Sequence, residues 1–187
     1  MGLFLTLRAD DSLMNSFQKG DSAAFNELYG RHKDRLYRFL LRSAPSAALA
    51  EELAQETWTS VIKRASQFQA KGHFKTWLFT IARNKLIDYS RSQAKKLDDA
   101  QNPEAEIEAS ADKHSSPEKA YELTQILQAI QTLPNEQRET FLLKEEGFSL
   151  REIAELTQTE AETVKSRLRY ARKRLHASLS DSGELAL

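Results

Sequence analysis

Ser149-Leu-Arg-Glu-Ile-Ala-Glu-Leu-Thr-Gln-Thr159, continued by Glu-Ala-Glu-Thr-Val-Lys-Ser-Arg-Leu-Arg-Tyr-Ala-Arg-Lys-Arg-Leu175, reads as two helix starts in quick succession. Ser149 precedes Glu152 by three residues, and Thr159 precedes Glu162 by three. A hydroxyl followed at that spacing by a carboxylate is the pattern of a capping box. Leu150, Ile153, Ala154 and Leu156 give the first helix its apolar side, and Val164, Leu168, Ala171 and Leu175 give the second its own. Residues 149–175 are therefore expected to form a helix-turn-helix. The second helix leaves Lys165, Ser166, Arg169, Arg172 and Lys173 facing outward, and Thr163 to His176 holds six Lys or Arg and no acid. Such a helix fits the major groove, where Arg, Lys and Ser reach base edges. Lys165, Ser166 and Arg169 are expected to read bases. Arg167, Arg172, Lys173 and Arg174 are expected to meet phosphates, which orient the helix without reading sequence. A solvated basic face is the alternative reading of the same residues.

Working outward, Ser116-Pro117 is a helix start with Pro in the first turn. Leu123, Ile126, Leu127, Ile130 and Leu133 give one helix, and Pro134 starts another that Gly147 breaks. A domain is expected over 117–180. Upstream, from 93 to 116, only Leu97 and Ile107 are large aliphatic residues, and Asp98 to Asp112 carries six acids and no base. Such a stretch buries too little to offset its ordering entropy, which predicts a flexible acidic linker.

A first helical domain is expected over 14–92. Asp21 is a candidate N-cap for a helix carrying Phe25, Leu28, His32, Leu36 and Phe39. Pro45-Ser46 ends that helix and caps one with Leu49, Leu53, Trp58 and Val61 on one side and Glu51, Glu52, Gln55 and Glu56 on the other. After a loop around 70–72, Phe74, Trp77, Leu78, Ile81 and Leu86 mark a third helix ending near Ser92. The first thirteen residues are read as an extension ahead of this domain. The fold class is thus all-α: two small helical domains joined by a flexible acidic linker, the second containing the helix-turn-helix.

The composition, 40% hydrophobic and 29% charged with six Gly and four Pro, is that of a helical globular protein. The formal charge is zero, 27 basic against 27 acidic residues, which argues against a protein that coats nucleic acid. Its distribution is uneven, however. His73 to Lys96 forms a second basic run, with six Lys or Arg against Asp88 alone. Two basic surfaces separated by an acidic strip suggest two contacts with an anionic polymer. Without cysteine, disulfides and thiol catalysis are excluded. The four His, at 32, 73, 114 and 176, lack metal-ligand spacing, and there is no glycine-rich phosphate loop or nucleophile motif. Neither an enzyme nor a cofactor is expected. Leu3 to Leu7 is too short for a signal segment or a membrane span, so no membrane insertion and a cytoplasmic location are expected.

Phe74-Lys-Thr-Trp-Leu-Phe-Thr-Ile-Ala-Arg-Asn-Lys-Leu-Ile-Asp-Tyr89, with Ala50-Glu-Glu-Leu-Ala-Gln-Glu-Thr-Trp58 and Gly20-Asp-Ser-Ala-Ala-Phe-Asn-Glu-Leu-Tyr29 before it, resembles the second conserved region of bacterial sigma factors. Leu133-Pro134 and Thr163-Val-Lys-Ser-Arg-Leu168 are similar to the fourth region. Lacking the domain between, the chain resembles the extracytoplasmic-function (ECF) group of the sigma-70 family. The resemblance implies a subunit that joins core RNA polymerase, recognises the −35 element with the second domain and melts the −10 element with the first. It also implies an anti-sigma factor as a partner.

Residue by residue, the resemblance assigns core-polymerase binding to the helix holding Leu53, Gln55, Glu56 and Trp58. It assigns −35 recognition to Thr163, Lys165, Ser166, Arg167, Arg169, Arg172 and Lys173. Asn84 would read a base flipped from the −10 strand, with the Phe68 to Phe74 loop completing the pocket. Single-stranded DNA is held by aromatic faces and a cationic track, and Phe68, His73, Phe74 and Trp77 lie among Lys71, Lys75, Arg83 and Lys85. The acidic linker resembles the family's segment that threads the polymerase channel. Phe68-Gln-Ala-Lys71 departs from the family's usual Phe-Arg-Gly-Asp or Glu, and Gln158, Glu160 and Glu162 stand where Gly, Pro and Gly are common. Gln158 would be strained if the turn needs positive φ. The competing reading is a helix-turn-helix regulator that binds duplex DNA without a polymerase.

Overall fold

The computed structural model describes residues 9–69, 73–99 and 125–181, and among them the regular structure is helical throughout. Helices α1 (Asp10–Gln18), α2 (Ser22–Ser43), α3 (Ala47–Lys63) and α4 (Phe74–Asp99) build the first unit. A helical stretch over 125–131, α5, precedes α6 (Asn135–Glu145), α7 (Leu150–Thr157) and α8 (Ala161–Asp181) in the second. The acidic run lies mostly outside the described residues, as do Lys71, Leu123 and the expected helix start at Ser116-Pro117.

Helix boundaries follow local chemistry. Asp21 accepts from the Ala24 amide and Ser46 from the Leu49 amide, so α2 and α3 begin where a side chain satisfies an orphan donor. Ser149 and Glu152 form the full capping box at the start of α7. The second box does not form. Helix α8 starts at Ala161, which makes Glu160 rather than Thr159 its cap residue. The Thr159 hydroxyl instead pairs with that of Thr157 at 2.9 Å, and the Glu162 carboxylate takes a hydrogen bond from Lys165 at 3.0 Å.

Two boundaries move outward from the expected ones. The third long helix runs to Asp99, not Ser92, because Gln93, Ala94, Lys95, Lys96 and Leu97 are all good helix formers. At the other end, residues 10–13 belong to α1, whose Leu13 and Met14 are fully buried, so the fold begins ahead of position 14.

The two units share one core. Phe39 meets Phe79 at 5.3 Å between ring centroids, and Phe79 meets Phe148 of the second unit edge-on at 5.0 Å. All three rings are buried. Around this aromatic bridge Arg42 pairs with Glu146 at 2.9 Å, Arg83 with Glu139 at 2.7 Å, and Gln131 donates to the Arg42 carbonyl at 3.0 Å. Gly147 (φ 78) lets the chain turn out of α6 so that Phe148 enters this contact.

Candidate nucleic-acid and polymerase interfaces

Helix α8 is divided as its spacing requires. Val164, Leu168, Ala171 and Leu175 are buried, while Thr163, Lys165, Arg169, Arg172 and Lys173 are exposed and Ser166 is half-buried. Arg169 lies against the exposed Tyr170 ring, 5.0 Å from its centroid, which extends the cationic face with a flat apolar one. Arg167 is the exception: it turns to Glu136 of α6 at 2.6 Å and is mostly covered. Its reading as a phosphate contact therefore requires exchanging that carboxylate for a phosphate.

The turn before α8 rests on Gln158, at φ 53 and ψ 45 in the left-handed region. A side chain there is disfavoured, since Cβ crowds the following carbonyl. Glu160 and Glu162 are exposed at the start of α8, where they suit the helix dipole.

In the first unit His73, Trp77, Thr80 and Asn84 succeed one another at steps of four, three and four, which places them on one face of α4. His73 and Asn84 are exposed; Trp77 is half-buried against Phe68 (5.3 Å) and Phe74 (6.2 Å). Phe68 and Phe74, expected to offer stacking faces, are instead interior: they are 5% and 1% exposed. Packed on each other and on Trp77, these rings remove more apolar surface from water than they would standing exposed. Trp77 is left as the ring on the accessible face.

The cationic track is already occupied in part. Lys75 donates to the Glu146 carbonyl at 2.6 Å and lies 3.9 Å over the Phe148 ring. Burial, and then the repulsion of Arg35, push its ammonium below the usual lysine range. Arg83 is held by Glu139 of α6, and Lys85 reaches Glu56 of α3 at 2.7 Å.

On α3, Gln55 and Glu56 are exposed beside Glu51 and Glu52, whereas Leu53 and Trp58 are buried. Trp58 packs edge-on to Phe25 at 5.9 Å and Tyr29 at 5.0 Å. These two positions support the surface from beneath and do not form it. Tyr29 and Ile62 are exposed large hydrophobic residues of α2 and α3.

Residues 28–96 match the family model for sigma-70 region 2, and residues 123–175 match that for sigma-70 region 4. The chain belongs to the sigma-70 family. Its ECF relatives place it in that group. The sigma factor is 34% identical to the ECF RNA polymerase sigma factor RpoE of Cereibacter sphaeroides over 169 residues, 86% of this chain and 88% of the relative. It is 35% identical to the RNA polymerase sigma factor CarQ of Myxococcus xanthus over 144 residues, 76% and 82% of the two chains. Among solved structures it matches RpoE of Bartonella quintana in complex with the anti-sigma factor NepR, with a TM-score of 0.76 and 25% identity over 83% of this chain and 96% of that one. The sigma factor directs RNA polymerase to promoters, the function its two conserved regions carry. Among the described residues no helix is long and apolar enough to cross a membrane.

Proposed function

We propose that this sigma factor reads the −35 element with the exposed face of α8, reads and melts the −10 element with the His73–Trp77–Thr80–Asn84 face of α4, and docks on core polymerase through the acidic surface of α3. The observation that supports this division most strongly is the sidedness of α8: the apolar residues are covered and Lys165, Arg169, Arg172 and Lys173 remain open to solvent. Lys165 and Arg169 lie near the start of that helix, where a recognition helix meets base edges. On α3, Gln55 and Glu56 carry the polar contact, and Leu53 and Trp58 hold it in place from below. The chain works without a catalytic site of its own, in the cytoplasm, as a dissociable subunit.

The domain arrangement fits a resting form. Two cations assigned to the −10 strand, Lys75 and Arg83, are engaged by Glu146 and Glu139 of the second unit. Phosphates must compete with those partners, so strand capture is coupled to separation of the units. A protein partner that clamps the closed form would silence the factor. The Bartonella relative was solved with an anti-sigma factor bound, which favours a partner of that kind here.

Run-off transcription from genomic fragments, with core polymerase from the same organism, tests the assignment. Promoter-specific transcripts are expected only when the chain is added, and Lys165→Ala with Arg169→Ala should weaken them according to the −35 sequence. Tight duplex binding without core polymerase, and no stimulated transcript, would favour the regulator reading instead.

A further inference from the structure

Helix α1 precedes the part of the chain that matches the region 2 model, which starts at residue 28. It nevertheless reaches both the start of α4 and the segment that leads into it. The Asp11 carboxylate accepts the Phe74 amide at 2.7 Å, across 63 residues of sequence. Its second oxygen is 3.9 Å from His73 Nδ1. The Gln18 side-chain amide donates to the carbonyls of Ala65 at 2.7 Å and Phe68 at 2.9 Å. Residues 70–73, Ala-Lys-Gly-His, contain none of the side chains that cap a helix well. The first amide of α4 is thus satisfied by a carboxylate from another helix.

Helix α1 is itself fixed. Leu13 and Met14 are fully buried, and Phe17 meets Phe25 at 4.9 Å. Asp10 takes hydrogen bonds from Arg31 and His32 of α2, both at 2.6 Å, and the His32 ring packs edge-on against Phe74 at 5.4 Å. One end of α1 therefore ties down the start of α4, and the other ties down Phe68. A charge-assisted hydrogen bond and two bonds to the Ala65 and Phe68 carbonyls have directional preferences that packing lacks. Together they fix the distance between the Phe68 carbonyl and the Phe74 amide, and with it the orientation of His73, Trp77 and Asn84.

We infer that Asp11 and Gln18 are positioning residues for −10 recognition: α1 is a brace that holds the reading face of α4 and Phe68 in one geometry. The inference rests on the proposed assignment of that face to the −10 strand. Neither residue touches the DNA. Loosening the brace should blur the choice among −10 sequences and leave core binding and −35 recognition intact.

The test is a promoter library with the −10 window randomised, transcribed by holoenzyme reconstituted with wild-type chain, Asp11→Ala, Asp11→Asn, Gln18→Ala or Asn84→Ala, with transcripts counted by sequencing. Discrimination between the preferred and the average −10 sequence should fall about tenfold in Asp11→Ala, the scale of one lost hydrogen bond to a charged group, and about threefold in Gln18→Ala, whose partners are neutral carbonyls. Asp11→Asn, which can still accept the Phe74 amide, should stay within about twofold of wild type, as should core affinity in every brace variant. Gln18→Ala removes only contacts to partly exposed carbonyls, so it remains a folded probe if Asp11→Ala is not. Loss of discrimination in Asn84→Ala with none in the brace variants would overturn the brace and leave the −10 assignment standing. Undiminished discrimination in Asn84→Ala would overturn the assignment beneath it. A uniform loss on all sequences together with core affinity would reduce α1 to a structural element and also overturn the inference.

Discussion

Lys75 and Glu146 join the two conserved regions through a side chain and a main-chain carbonyl: the ammonium sits 2.6 Å from the Glu146 oxygen and 3.9 Å from the centroid of the next aromatic ring, Phe148. The same residue's carboxylate, almost wholly buried, is held by Arg42 of α2 at 2.9 Å. One residue at the end of α6 thus engages two cations of the first unit with two different groups.

Arg42→Ala is accordingly expected to open the closed form. It would leave the buried Glu146 carboxylate without its hydrogen-bonding cation and with only Lys75 near it among the described residues, a loss below the ~3–5 kcal/mol of a fully uncompensated buried charge. Separation of the units restores water to the carboxylate, so the open state is favoured. The chain has no cysteine, so single dye-labelling sites can be introduced on each unit. Energy transfer between them should drop in Arg42→Ala, and Arg42→Lys should recover part of it. An unchanged transfer efficiency would show that the aromatic bridge alone holds the units together.

Base-reading and phosphate-binding residues on α8 should separate by their salt dependence. Lys165→Ala and Arg169→Ala should each cost about 1–3 kcal/mol on the best −35 sequence and less on a substituted one. Arg172→Ala and Lys173→Ala should weaken all sequences alike and reduce the salt slope by about one each. Titration of holoenzyme on paired promoters at several salt concentrations distinguishes the two classes. Equal losses on every sequence for all four variants would make the whole face a phosphate contact.

Much of this was legible beforehand because it is local. The inward row Val164, Leu168, Ala171 and Leu175 follows from helical periodicity, and Ser149 with Glu152 from capping chemistry. What could not be read depends on partners distant in sequence. Nothing near Phe74 announces that Asp11 caps it, and nothing near Lys75 that Glu146 engages it. Burial of Leu53, Trp58 and Phe74 follows from the apolar spacing of their helices and conflicts only with the contact roles the resemblance assigns them, whereas Phe68, in no helix, carried no such signal. Their motifs indicate which helix faces function, not which side chains on it reach solvent. Thr159 shows the reverse case, a local pattern overridden when the adjacent Thr157 hydroxyl offers a competing partner.

Gln158→Gly should stabilise the fold. The left-handed conformation at φ 53 costs a residue with Cβ about 1–2 kcal/mol, a penalty glycine escapes in the folded state. Part of that gain is offset by glycine's larger unfolded-state entropy. A net increase of about 0.5–1 kcal/mol in urea unfolding is expected, with an unchanged m-value. A decrease would mean that the Gln158 side chain contributes contacts that outweigh the backbone term.

Acidification should weaken the first unit in two windows. Burial pushes His32 below its ordinary range, against the pull of Asp10 and with the repulsion of Arg35 and Lys75. Its Nδ1 has no hydrogen-bond partner among the described residues, which suits a neutral ring donating from Nε2 to Asp10. A lowered folded pKa means that the unfolded chain takes up the proton first, so stability falls as pH drops below the ordinary histidine value of about 6.5. Burial raises Asp10, but hydrogen bonds from Arg31 and His32 outweigh it and hold its carboxyl below the ordinary value. That contribution is present above about pH 4 and is lost as pH falls through the folded value. Thermal midpoints between pH 7.5 and 5 should decline in wild type, and the decline should be shallower in His32→Gln. Equal slopes would place the upper window's titration elsewhere.

The most direct measurement of the central claim follows one template through two factors, wild type and the Lys165→Ala, Arg169→Ala double variant, each with core polymerase from the same organism. Permanganate footprinting of the −10 strand and run-off transcripts are scored together. Wild-type chain should open the strand and yield a discrete transcript that core polymerase alone does not. The double variant should lose both on the cognate −35 sequence while binding core polymerase normally. Strand opening and transcript yield that are the same with and without the wild-type chain would contradict the account.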